Sequence, residues 1–360
     1  MSGNARFGLA YDVLAPRVQL AEHTSALFSE TELAETLGFD SLWFGETHRN
    51  KPGHGHCAAP LIVAAAVASR TSTIQIGTAV LLLPAYTPLQ VAEQAALVDQ
   101  LSGGRLLLGV APGLEVYRDY GYENFGFGPA DPQPMMDESL AVIRELWSQD
   151  RVSFDGDYYN YRDAVCYPPP YQERLPLLVG GITGRAMKRA ANLADGWVGG
   201  TPYPFALIRE VRQRYLSAVR ESAAEPGTLA LIRPIVVAET DAEAERLATE
   251  WVEPVIDYYL QRGAYFRSDF RSVRGAAQIT DEVRREAMAE IPIVGDPERC
   301  AQLLGRYYRE AGVDHFILRI RFPGQDDAAR GRLLRLIADE VLPRARAAAS
   351  SESIDNANVG

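Results

Sequence analysis

Short apolar runs alternate with helical patterns along almost the whole chain, and this alternation constrains the fold more than any other feature. Each apolar run is continuous instead of alternating with polar residues, as expected for parallel strands buried on both faces. Eight strand–helix units favour an α/β fold of the closed (β/α)8 TIM-barrel type over an open sheet. The predicted strands are Phe7–Val13, Ser41–Glu46, Ile74–Leu83, Leu106–Ala111, Leu177–Gly181, Gly196–Gly200, Leu229–Ala238 and His315–Arg321.

The helical patterns between the strands complete this architecture. They cover Ser25–Leu37, Ala58–Ser69, Pro88–Leu101, Met135–Trp147, Arg185–Leu193, Phe205–Ser222, Asp241–Leu260, Pro297–Ala311 and Asp327–Ala345. A chain of 360 residues with 47% hydrophobic residues is long enough to bury a barrel of this size. We therefore predict one barrel domain over residues 1–346 and a small, polar tail at 347–360 that is expected to be disordered.

Three stretches depart from the alternation. Residues 115–134 are rich in Gly, Tyr, Phe and Pro and follow the fourth strand, so they are expected to lie over the C-terminal mouth of the barrel. Residues 150–176 are typical of a β-hairpin with a rigid connection after it. Residues 261–292 form a long insertion before the eighth strand, and such a segment is either a lid or a contact with a neighbouring subunit.

Composition excludes several classes of partner. The net charge of −11 gives the chain no reason to bind nucleic acid or an anionic membrane surface. No apolar run approaches the roughly 18 to 20 residues that a membrane-spanning helix needs. Three widely spaced cysteines argue against a disulfide framework and fit a reducing compartment. Because no basic, apolar, cleavable segment precedes the first strand, a cytoplasmic location is expected.

A glycine-rich turn joins the fifth predicted strand to its helix, in the run Val179-Gly180-Gly181-Ile182-Thr183-Gly184-Arg185-Ala186. Glycine lets the backbone approach a ligand closely, and the amides and dipole of a helix start suit a phosphate. Thr183 adds a hydroxyl donor, and Arg185 adds a positive charge at the same edge. The alternative interpretation is a strand-to-helix turn that binds nothing.

Polar side chains follow the second predicted strand, in the run Trp43-Phe44-Gly45-Glu46-Thr47-His48. Active-site residues of barrels sit at the C-terminal ends of strands, and a carboxylate beside a histidine suits proton transfer. Glu46 and His48 are therefore the candidate catalytic residues. The alternative for Glu46 is a structural carboxylate that pairs with an arginine at the barrel mouth.

The next segment, Lys51-Pro52-Gly53-His54-Gly55-His56-Cys57, contains two histidines and a cysteine. No metal site is expected, because a distal cluster of ligands is missing from the sequence. We interpret the segment as a loop above the site, where aromatic residues such as Tyr86 and Phe125 supply a mostly apolar wall. The candidate substrate-pocket residues are Tyr11, Thr47, His54, His56 and Tyr117.

Taken together, these segments resemble the bacterial-luciferase-like flavin monooxygenases. The resemblance extends from Phe7 to about Pro343, and it implies a (β/α)8 barrel with a flavin at its mouth. The segments that carry it are Asp99–Gly113, Val179–Trp197, Ile293–Glu298 and Ala311–Phe316.

The resemblance also implies cofactor contacts at particular positions. In the family, a cis peptide bond joins the residues that match Ala79 and Val80 and lies against the flavin ring. The glycine-rich turn matches the family's flavin-phosphate segment, in which Thr183 takes the place of a small hydroxyl residue. The implied cofactor-binding residues are Ala79, Val80, Gly113, Gly180, Gly181, Ile182, Thr183, Gly184 and Arg185.

Three positions depart from the family pattern. Thr47 stands where the family commonly has the first of two histidines, the one most tied to chemistry. Pro112 stands where many members have an arginine that binds the flavin phosphate, and Arg185 is the candidate to compensate. Ala111 stands where luciferases carry a cysteine, so a light-emitting reaction is not expected.

The implied activity is a monooxygenase that uses reduced FMN and O2 on an apolar or aromatic organic substrate. A separate flavin reductase is the expected source of reduced FMN, because no Gly-X-Gly-X-X-Gly fingerprint for a nicotinamide cofactor follows a strand. Two alternatives stay open: a hydride-transfer enzyme that uses the deazaflavin F420, and a flavin-binding protein that has lost catalysis. A homodimer through the helices Ala58–Ser69 and Pro88–Leu101 is also implied by the resemblance.

Overall fold

The structure is a computed structural model that describes residues 5–11, 20–48, 57–113, 125, 132–267, 271–273 and 275–351. Twelve strands lie within these residues. They are β1 (Arg6–Tyr11), β2 (Ser41–Phe44), β3 (Gln75–Thr78), β4 (Leu81–Leu82), β5 (Leu106–Ala111), β6 (Val152–Asp155), β7 (Asn160–Ala164), β8 (Leu177–Gly180), β9 (Gly196–Gly199), β10 (Thr228–Val237), β11 (Ile293–Gly295) and β12 (His315–Arg319).

Eight of these strands close into a parallel barrel. β1 pairs with β2 on one side and with β12 on the other, and the pairing runs on through β3, β5, β8, β9 and β10 to β12. The predicted (β/α)8 barrel is confirmed. The short β4 continues the line of β3 beside β5, and β11 pairs with the last residues of β10. The predicted hairpin is present as the antiparallel pair β6 and β7.

Helices surround the barrel in the order that the sequence predicts. Within the described residues, none of them is both long and apolar enough to cross a bilayer. They are α1 (Leu20–Thr36), α2 (Pro60–Ala68), α3 (Pro88–Ser102), α4 (Pro132–Ser148), α5 (Gly184–Asn192), α6 (Phe205–Ser222), α7 (Asp241–Trp251), α8 (Glu253–Gln261), α9 (Asp281–Glu290), α10 (Pro297–Ala311), α11 (Asp327–Leu336) and α12 (Leu342–Ser351).

Several predicted helix boundaries shift by a few residues, and two of the differences have a clear physical reason. The helix predicted over 241–260 is divided into α7 and α8, because Pro254 lies in the first turn of α8 and cannot continue a helix from α7. The tail predicted to start at residue 347 is helical up to Ser351, since α12 continues past the predicted boundary. Packing explains the difference, because Ala349 of this small-residue segment is buried against the core.

The turn between α3 and β5, at the N-terminal side of the barrel, is fixed by a glycine and an arginine. Gly103 ends α3 in the left-handed conformation, with φ of 67°. The guanidinium of Arg105 then donates to the carbonyl oxygens of Ala68, Thr71, Ile74 and Ser102 at 2.6–3.0 Å. This one side chain therefore clamps the α2–β3 connection to the α3–β5 turn.

The insertion at 261–292 contains helical structure of its own. It includes a short 3-10 turn at Ala276–Gln278 and the helix α9, which is joined to α8 by the ion pair of Arg284 and Asp257 at 2.8 Å. Phe266 contacts the ring of Tyr203 in the loop that follows β9, with ring centroids 6.0 Å apart. The insertion therefore packs against a loop at the barrel's C-terminal side.

The barrel lumen has a polar floor and an apolar interior above it. The floor is a hydrogen-bonded set in which Trp43 Nε1 donates to Ser41 Oγ at 2.7 Å, and Ser41 Oγ lies 2.6 Å from His315 Nε2. The indole of Trp43 covers Gly77 so closely that a Cβ there would lie 2.3 Å from the ring. The rest of the lumen is apolar, with a cluster formed by Ala10, Trp43, Leu107, Leu178, Val198, Ala230, Ile232 and Ile317 under Ala79 and Val80.

The histidine in this floor makes the stability of the protein depend on pH. Burial, with the nearby charge of Arg6, holds the pKa of His315 well below its ordinary value. The folded protein thus keeps the ring neutral, whereas the unfolded chain protonates it below about pH 6.5. This contribution to stability is present above that pH and is lost as the pH falls. We expect it to lower the free energy of unfolding by about 2 kcal/mol between pH 7 and pH 5.

The neighbouring Asp314 acts in the opposite direction, because burial raises the pKa of its carboxyl to about 6. Through Asp314, stability rises as the pH falls between about 6 and 4. A comparison of wild type with His315→Gln, by urea denaturation at each pH, isolates the histidine. The stability advantage of wild type should narrow from pH 7 to pH 5, and a constant difference would contradict the prediction.

Candidate active site

Glu46 lies just past the end of β2 and is fully buried at its side chain. Its carboxylate accepts three hydrogen bonds: the amide of Leu82 donates to Oε2 at 2.7 Å, the hydroxyl of Tyr86 donates to Oε1 at 2.9 Å, and His48 Nε2 lies 2.5 Å from Oε1. Burial of a carboxylate is tolerated when donors surround it in this way. The two predicted catalytic residues are thus in direct contact, and Tyr86 joins them.

The ring of His48 is oriented from two sides. Its Nε2 faces Glu46, and its plane meets the ring of Phe125 edge-on, with centroids 4.8 Å apart. The side chain of His48 keeps 14% of its surface exposed, whereas that of Glu46 has none. Of the pair, His48 is therefore the one that can meet a ligand, and Glu46 acts on the ligand through it.

A cavity of about 260 Å³ lies beside His48. Most of its wall is apolar, and the polar groups in it are the ring of His48, the hydroxyl of Tyr86 and the amide of Gln94. The described residues that line it are His48, Ala58, Ala59, Pro60, Leu61, Ile62, Leu81, Tyr86, Gln94 and Phe125. A cavity with this lining suits an apolar molecule that carries a small number of polar groups.

The peptide bond between Ala79 and Val80 is cis, as the resemblance implies. The strand β2 holds it from one side, because the amide of Ala79 donates to the oxygen of Phe44 and the amide of Glu46 donates to the oxygen of Val80. Gly45 is required here, since a Cβ on it would lie 2.9 Å from the oxygen of Ala79. The peptide therefore lies next to Glu46, above the apolar lumen.

The turn after β8 forms a tight cradle at the start of α5. Gly180 packs so close to β5 that a Cβ would lie 3.0 Å from that of Ala111, and Gly181 has φ of 119°. Trp197 Nε1 donates to the oxygen of Gly181 at 2.6 Å and fixes the turn, while the side chain of Ile182 is buried. Thr183 caps α5, because its Oγ accepts from the amide of Ala186.

This cradle has the features of an anion site. Thr183 and Gly184 are exposed, and the first amides of a helix have no partner within the helix itself. The dipole of α5 adds a partial positive charge at the same place. Exposed helix-start amides and a positive dipole end are the general requirements for binding an anion such as a phosphate.

Arg185 forms an ion pair with a carboxylate at this edge. Its Nε donates to Asp137 on α4 at 2.9 Å, and Arg189 contacts the same carboxylate. Although partial burial opposes the effect, hydrogen bonds from Arg189 and Arg185 hold the pKa of Asp137 below its ordinary value. The structure thus gives Arg185 a carboxylate partner, and the amides of α5 are the more direct donors for an anion.

The other predicted residues are divided between the site and the core. Gly113, with φ of 80°, follows β5 at the barrel mouth. Thr47 lies beside His48, and its amide donates a hydrogen bond to the oxygen of Cys57 at 2.8 Å. Tyr11 was expected in the substrate pocket, but its side chain is 1% exposed and stacks on Phe44 outside the lumen. Successive side chains of a strand point to opposite faces of the sheet. Because Ala10 faces the lumen, Tyr11 faces away from it. The candidates His54, His56 and Tyr117 lie outside the described residues.

Two side chains have roles that the sequence did not assign. Thr78 Oγ donates to the oxygen of Gly109 at 2.7 Å and accepts from its amide at 2.9 Å, which bridges the break between β3 and β4. Tyr86 was predicted as pocket wall, and the structure adds its hydrogen bond to Glu46. Both contacts join residues more than 30 positions apart, so the sequence pattern carries no direct signal for them. Among the described residues, no cluster of His, Cys, Asp and Glu is arranged to hold a metal ion.

The fold is that of a luciferase-like barrel protein. The family model described as luciferase-like monooxygenase matches residues 13–315, and the chain belongs to this family.

Relatives in this family differ in cofactor and reaction. An F420-dependent glucose-6-phosphate dehydrogenase of Amycolatopsis mediterranei (strain U-32) is 30% identical over 326 residues, which covers 87% of this chain and 92% of the relative. A 4-hydroxyprotoasukamycin monooxygenase of Streptomyces nodosus subsp. asukaensis is 29% identical over 346 residues, covering 92% and 90%. The solved monooxygenase RslO1 of Streptomyces bottropensis shares the fold, with a TM-score of 0.79, 20% identity and coverage of 94% and 99%.

Proposed function

We propose that the chain is a monooxygenase that uses reduced FMN and O2 on an apolar or aromatic organic substrate. The observation that carries this proposal is the apolar cavity of about 260 Å³ beside His48. No lysine or arginine is among the ten described residues that line it. A sugar phosphate needs cationic partners, whereas an apolar molecule with one or two polar groups fits this lining.

The residues at the mouth fit a flavin mononucleotide. The phosphate has a place at the start of α5, where Gly180, Gly181 and Gly184 leave room and Thr183 adds a hydroxyl. The flat ring has a place near Ala79 and Val80, whose small side chains lie above the apolar lumen. Gly113 and Ile182 complete the proposed cofactor contacts. When bound, reduced FMN supplies the electrons for the activation of O2.

Glu46 and His48 are the proposed catalytic residues. Glu46 Oε1 holds the ring of His48 at 2.5 Å, so a proton at Nε2 is kept on the side away from the cavity. The rest of the ring faces the cavity, where it orients the substrate or exchanges a proton with it through Nδ1. The apolar lining excludes water, which protects a reactive oxygen species from side reactions. Thr47 is proposed to line this site.

The proposal includes two protein partners. A separate flavin reductase supplies reduced FMN, because the chain lacks a nicotinamide fingerprint. A second copy of the chain binds through α2 and α3, whose outer surface carries the exposed apolar side chains of Ile62, Leu97 and Leu101. An apolar face of this kind on a protein surface marks a site of association.

The second candidate is an F420-dependent hydride-transfer enzyme. The observation in its favour is that several relatives of similar identity are F420-dependent dehydrogenases. In this candidate the cradle at α5 would hold the phosphate of F420 instead of that of FMN. Thr47 and Pro112 favour a third outcome, a flavin-binding protein without catalysis, which the same experiment tests.

Anaerobic titration of the purified protein with reduced FMN, and in parallel with reduced F420, tests these candidates. We expect tight binding of reduced FMN, followed on rapid mixing with O2 by an absorbance transient that outlasts the oxidation of free reduced FMN. Binding of F420 alone would replace the proposal by the second candidate. Binding of FMN without a transient, and without turnover of any apolar substrate, would support the loss of catalysis.

A further inference from the structure

The alternation of side chains along the barrel strands determines which residues face the lumen at its mouth. In β1, Ala10 belongs to the lumen cluster, whereas Tyr11 packs in the core outside it. In β5, Leu107 faces the lumen, so Ala111, four positions later, faces it as well. At the end of β8, a Cβ on Gly180 would lie 3.0 Å from that of Ala111. The last lumen-facing positions of these three strands therefore carry only alanine or glycine.

The strand β12 differs, because its last lumen-facing residue is an arginine. Ile317 belongs to the lumen cluster and Leu318 to the core outside it, so Arg319 faces the lumen. The register agrees with this, since Arg319 is paired with Ala10 on β1 and with Pro234 on β10. Arg319 thus brings a positive charge to the mouth, directly above the apolar cluster.

The surroundings of Arg319 suit an anionic ligand. The lumen below it is apolar, and removing a guanidinium from water is costly unless an opposite charge and hydrogen-bond acceptors meet it. Arg319 is the last residue of β12, and the C-terminal ends of barrel strands are where side chains contact ligands. Its guanidinium is a planar fork, which can donate to two acceptor atoms that lie side by side.

Among the groups proposed to bind at the mouth, the ring of a reduced flavin has a charge that Arg319 can meet. The oxidised ring is neutral, whereas the reduced ring is an anion whose charge is shared between N1 and the neighbouring carbonyl oxygen. The proposed place of the ring begins at Ala79 and Val80 after β3, and β12, β1, β2 and β3 are consecutive around the barrel. An eight-stranded barrel is only wide enough for side chains to fill. A flat ring that covers the lumen from β3 therefore approaches β12.

We propose that Arg319 binds the negative charge of the reduced flavin ring and so makes the site select reduced over oxidised flavin. This role rests on the proposed function, because it requires a flavin at the mouth. The phosphate and the apolar lumen are the same for both redox states and cannot distinguish them, whereas a charge beside the ring can. A site supplied with reduced FMN by a separate reductase needs this selection, since oxidised FMN would otherwise occupy it.

Binding of the two redox states tests the role of Arg319 without substrate or turnover. The Kd values of Arg319→Gln and wild type are measured for oxidised FMN in air and for reduced FMN without oxygen. We expect the Kd for reduced FMN to rise about 30-fold and that for oxidised FMN to change by no more than about threefold. The ratio of the two values then changes by about tenfold, which lowers the midpoint potential of the bound flavin by about 30 mV.

Two further variants separate charge from position. Arg319→Lys keeps the charge, and its ratio of Kd values should stay closer to wild type than that of Arg319→Gln. The matched control is Arg321→Gln, which removes the same charge two positions later. Arg321 lies over the ring of Tyr11 outside the lumen, and its partner Glu30 keeps an ion pair with Arg330 at 2.7 Å. The control should therefore have the ratio of wild type.

Two results would overturn the role of Arg319 while the proposed function stands. An equal rise of both Kd values in Arg319→Gln would mean that the arginine supports the shape of the mouth. Unchanged Kd values for both redox states would mean that its charge serves another anionic group. If wild type binds neither reduced FMN nor reduced F420, the proposed function fails together with this role. Thermal unfolding reports the fold of each variant, and Arg319→Met, which also removes the charge, replaces Arg319→Gln if that variant is unstable.

Discussion

Gly184→Asp is expected to abolish binding of a phosphate-bearing flavin while the barrel stays folded. Gly184 is the first residue of α5, at the cradle proposed to hold the cofactor phosphate. A carboxylate there lies close to the phosphate, and two charges about 4 Å apart repel by up to about 4 kcal/mol near a protein surface. We therefore expect the Kd for reduced FMN to rise by about 100-fold or more, which corresponds to about 3 kcal/mol.

The same substitution should not destabilise the fold. A Cβ at Gly184 would meet no heavy atom within 4 Å, so there is room for a side chain. Aspartate is favourable in the first turn of a helix because it faces the positive end of the dipole, and replacement of glycine removes backbone freedom from the unfolded chain. The midpoint of thermal unfolding should thus be unchanged or raised, which separates lost binding from lost folding.

Two controls make the test specific for charge and for phosphate. Gly184→Asn has nearly the same shape without the charge, and it should bind reduced FMN within about tenfold of wild type. Riboflavin lacks the phosphate, so its weaker binding should be the same in wild type and in Gly184→Asp. If Gly184→Asp binds reduced FMN as tightly as wild type, the phosphate does not lie at α5 and the proposed cofactor site is wrong.

The order of the elements made the barrel predictable, because eight apolar strands with helices between them leave few other ways to bury both faces of a parallel sheet. This order does not show which side chains of a strand point into the lumen and which point towards the helices. Tyr11 lies at the end of β1, where site residues are expected, but the pleat turns it towards the helices. The predicted strand Ile74–Leu83 is likewise divided into β3 and β4 around Ala79 and Val80, and apolar composition does not signal that break.

The sequence predicted several residues of the candidate site, but not the hydrogen-bond partners that join them to distant parts of the chain. Glu46 and His48 are two positions apart, and their contact follows from local geometry. The contact of Glu46 with Tyr86 spans 40 positions and depends on how the turn after β4 packs against β2. Arg185 was assigned to a ligand on its charge, and its partner Asp137 lies 48 positions away on α4. Partners at such separations are set by tertiary packing, which a single sequence does not display.

Those connections give Glu46→Gln a different expected outcome from Glu46→Leu. Glutamine keeps one oxygen, and the amide of Leu82 can only donate, so that oxygen must face Leu82. The amide nitrogen then faces Tyr86 and His48. A tyrosine hydroxyl can rotate and accept, and a neutral histidine can accept at Nε2. The hydrogen bonds are therefore kept, and the free energy of unfolding should fall by no more than about 1 to 2 kcal/mol.

Leucine at the same position accepts nothing, so the buried amide of Leu82 and the half-buried hydroxyl of Tyr86 lose this acceptor, and the ion pair with His48 is lost as well. Each buried donor without a partner costs about 1 to 3 kcal/mol, so Glu46→Leu should lower the free energy of unfolding by about 3 kcal/mol or more. Tyr86→Phe is the matched single deletion, and it should cost about 1 kcal/mol. If the carboxylate of Glu46 connects this network, urea denaturation should show losses in free energy of unfolding that increase from Tyr86→Phe through Glu46→Gln to Glu46→Leu. A loss in Glu46→Leu no larger than that in Tyr86→Phe would contradict this prediction.

The chemistry should be affected far more than the stability in Glu46→Gln. A carboxylate supports a histidine that carries its proton at Nε2, whereas the glutamine nitrogen occupies that place as a donor and forces the proton to Nδ1. Nδ1 then carries the proton instead of being able to accept one, and turnover should fall by about 100-fold or more. Nitrogen NMR of the histidine rings, with His48 assigned through His48→Gln, reports the change of tautomer before any substrate is known. An unchanged tautomer in Glu46→Gln would mean that Glu46 supports the loop and not the reaction.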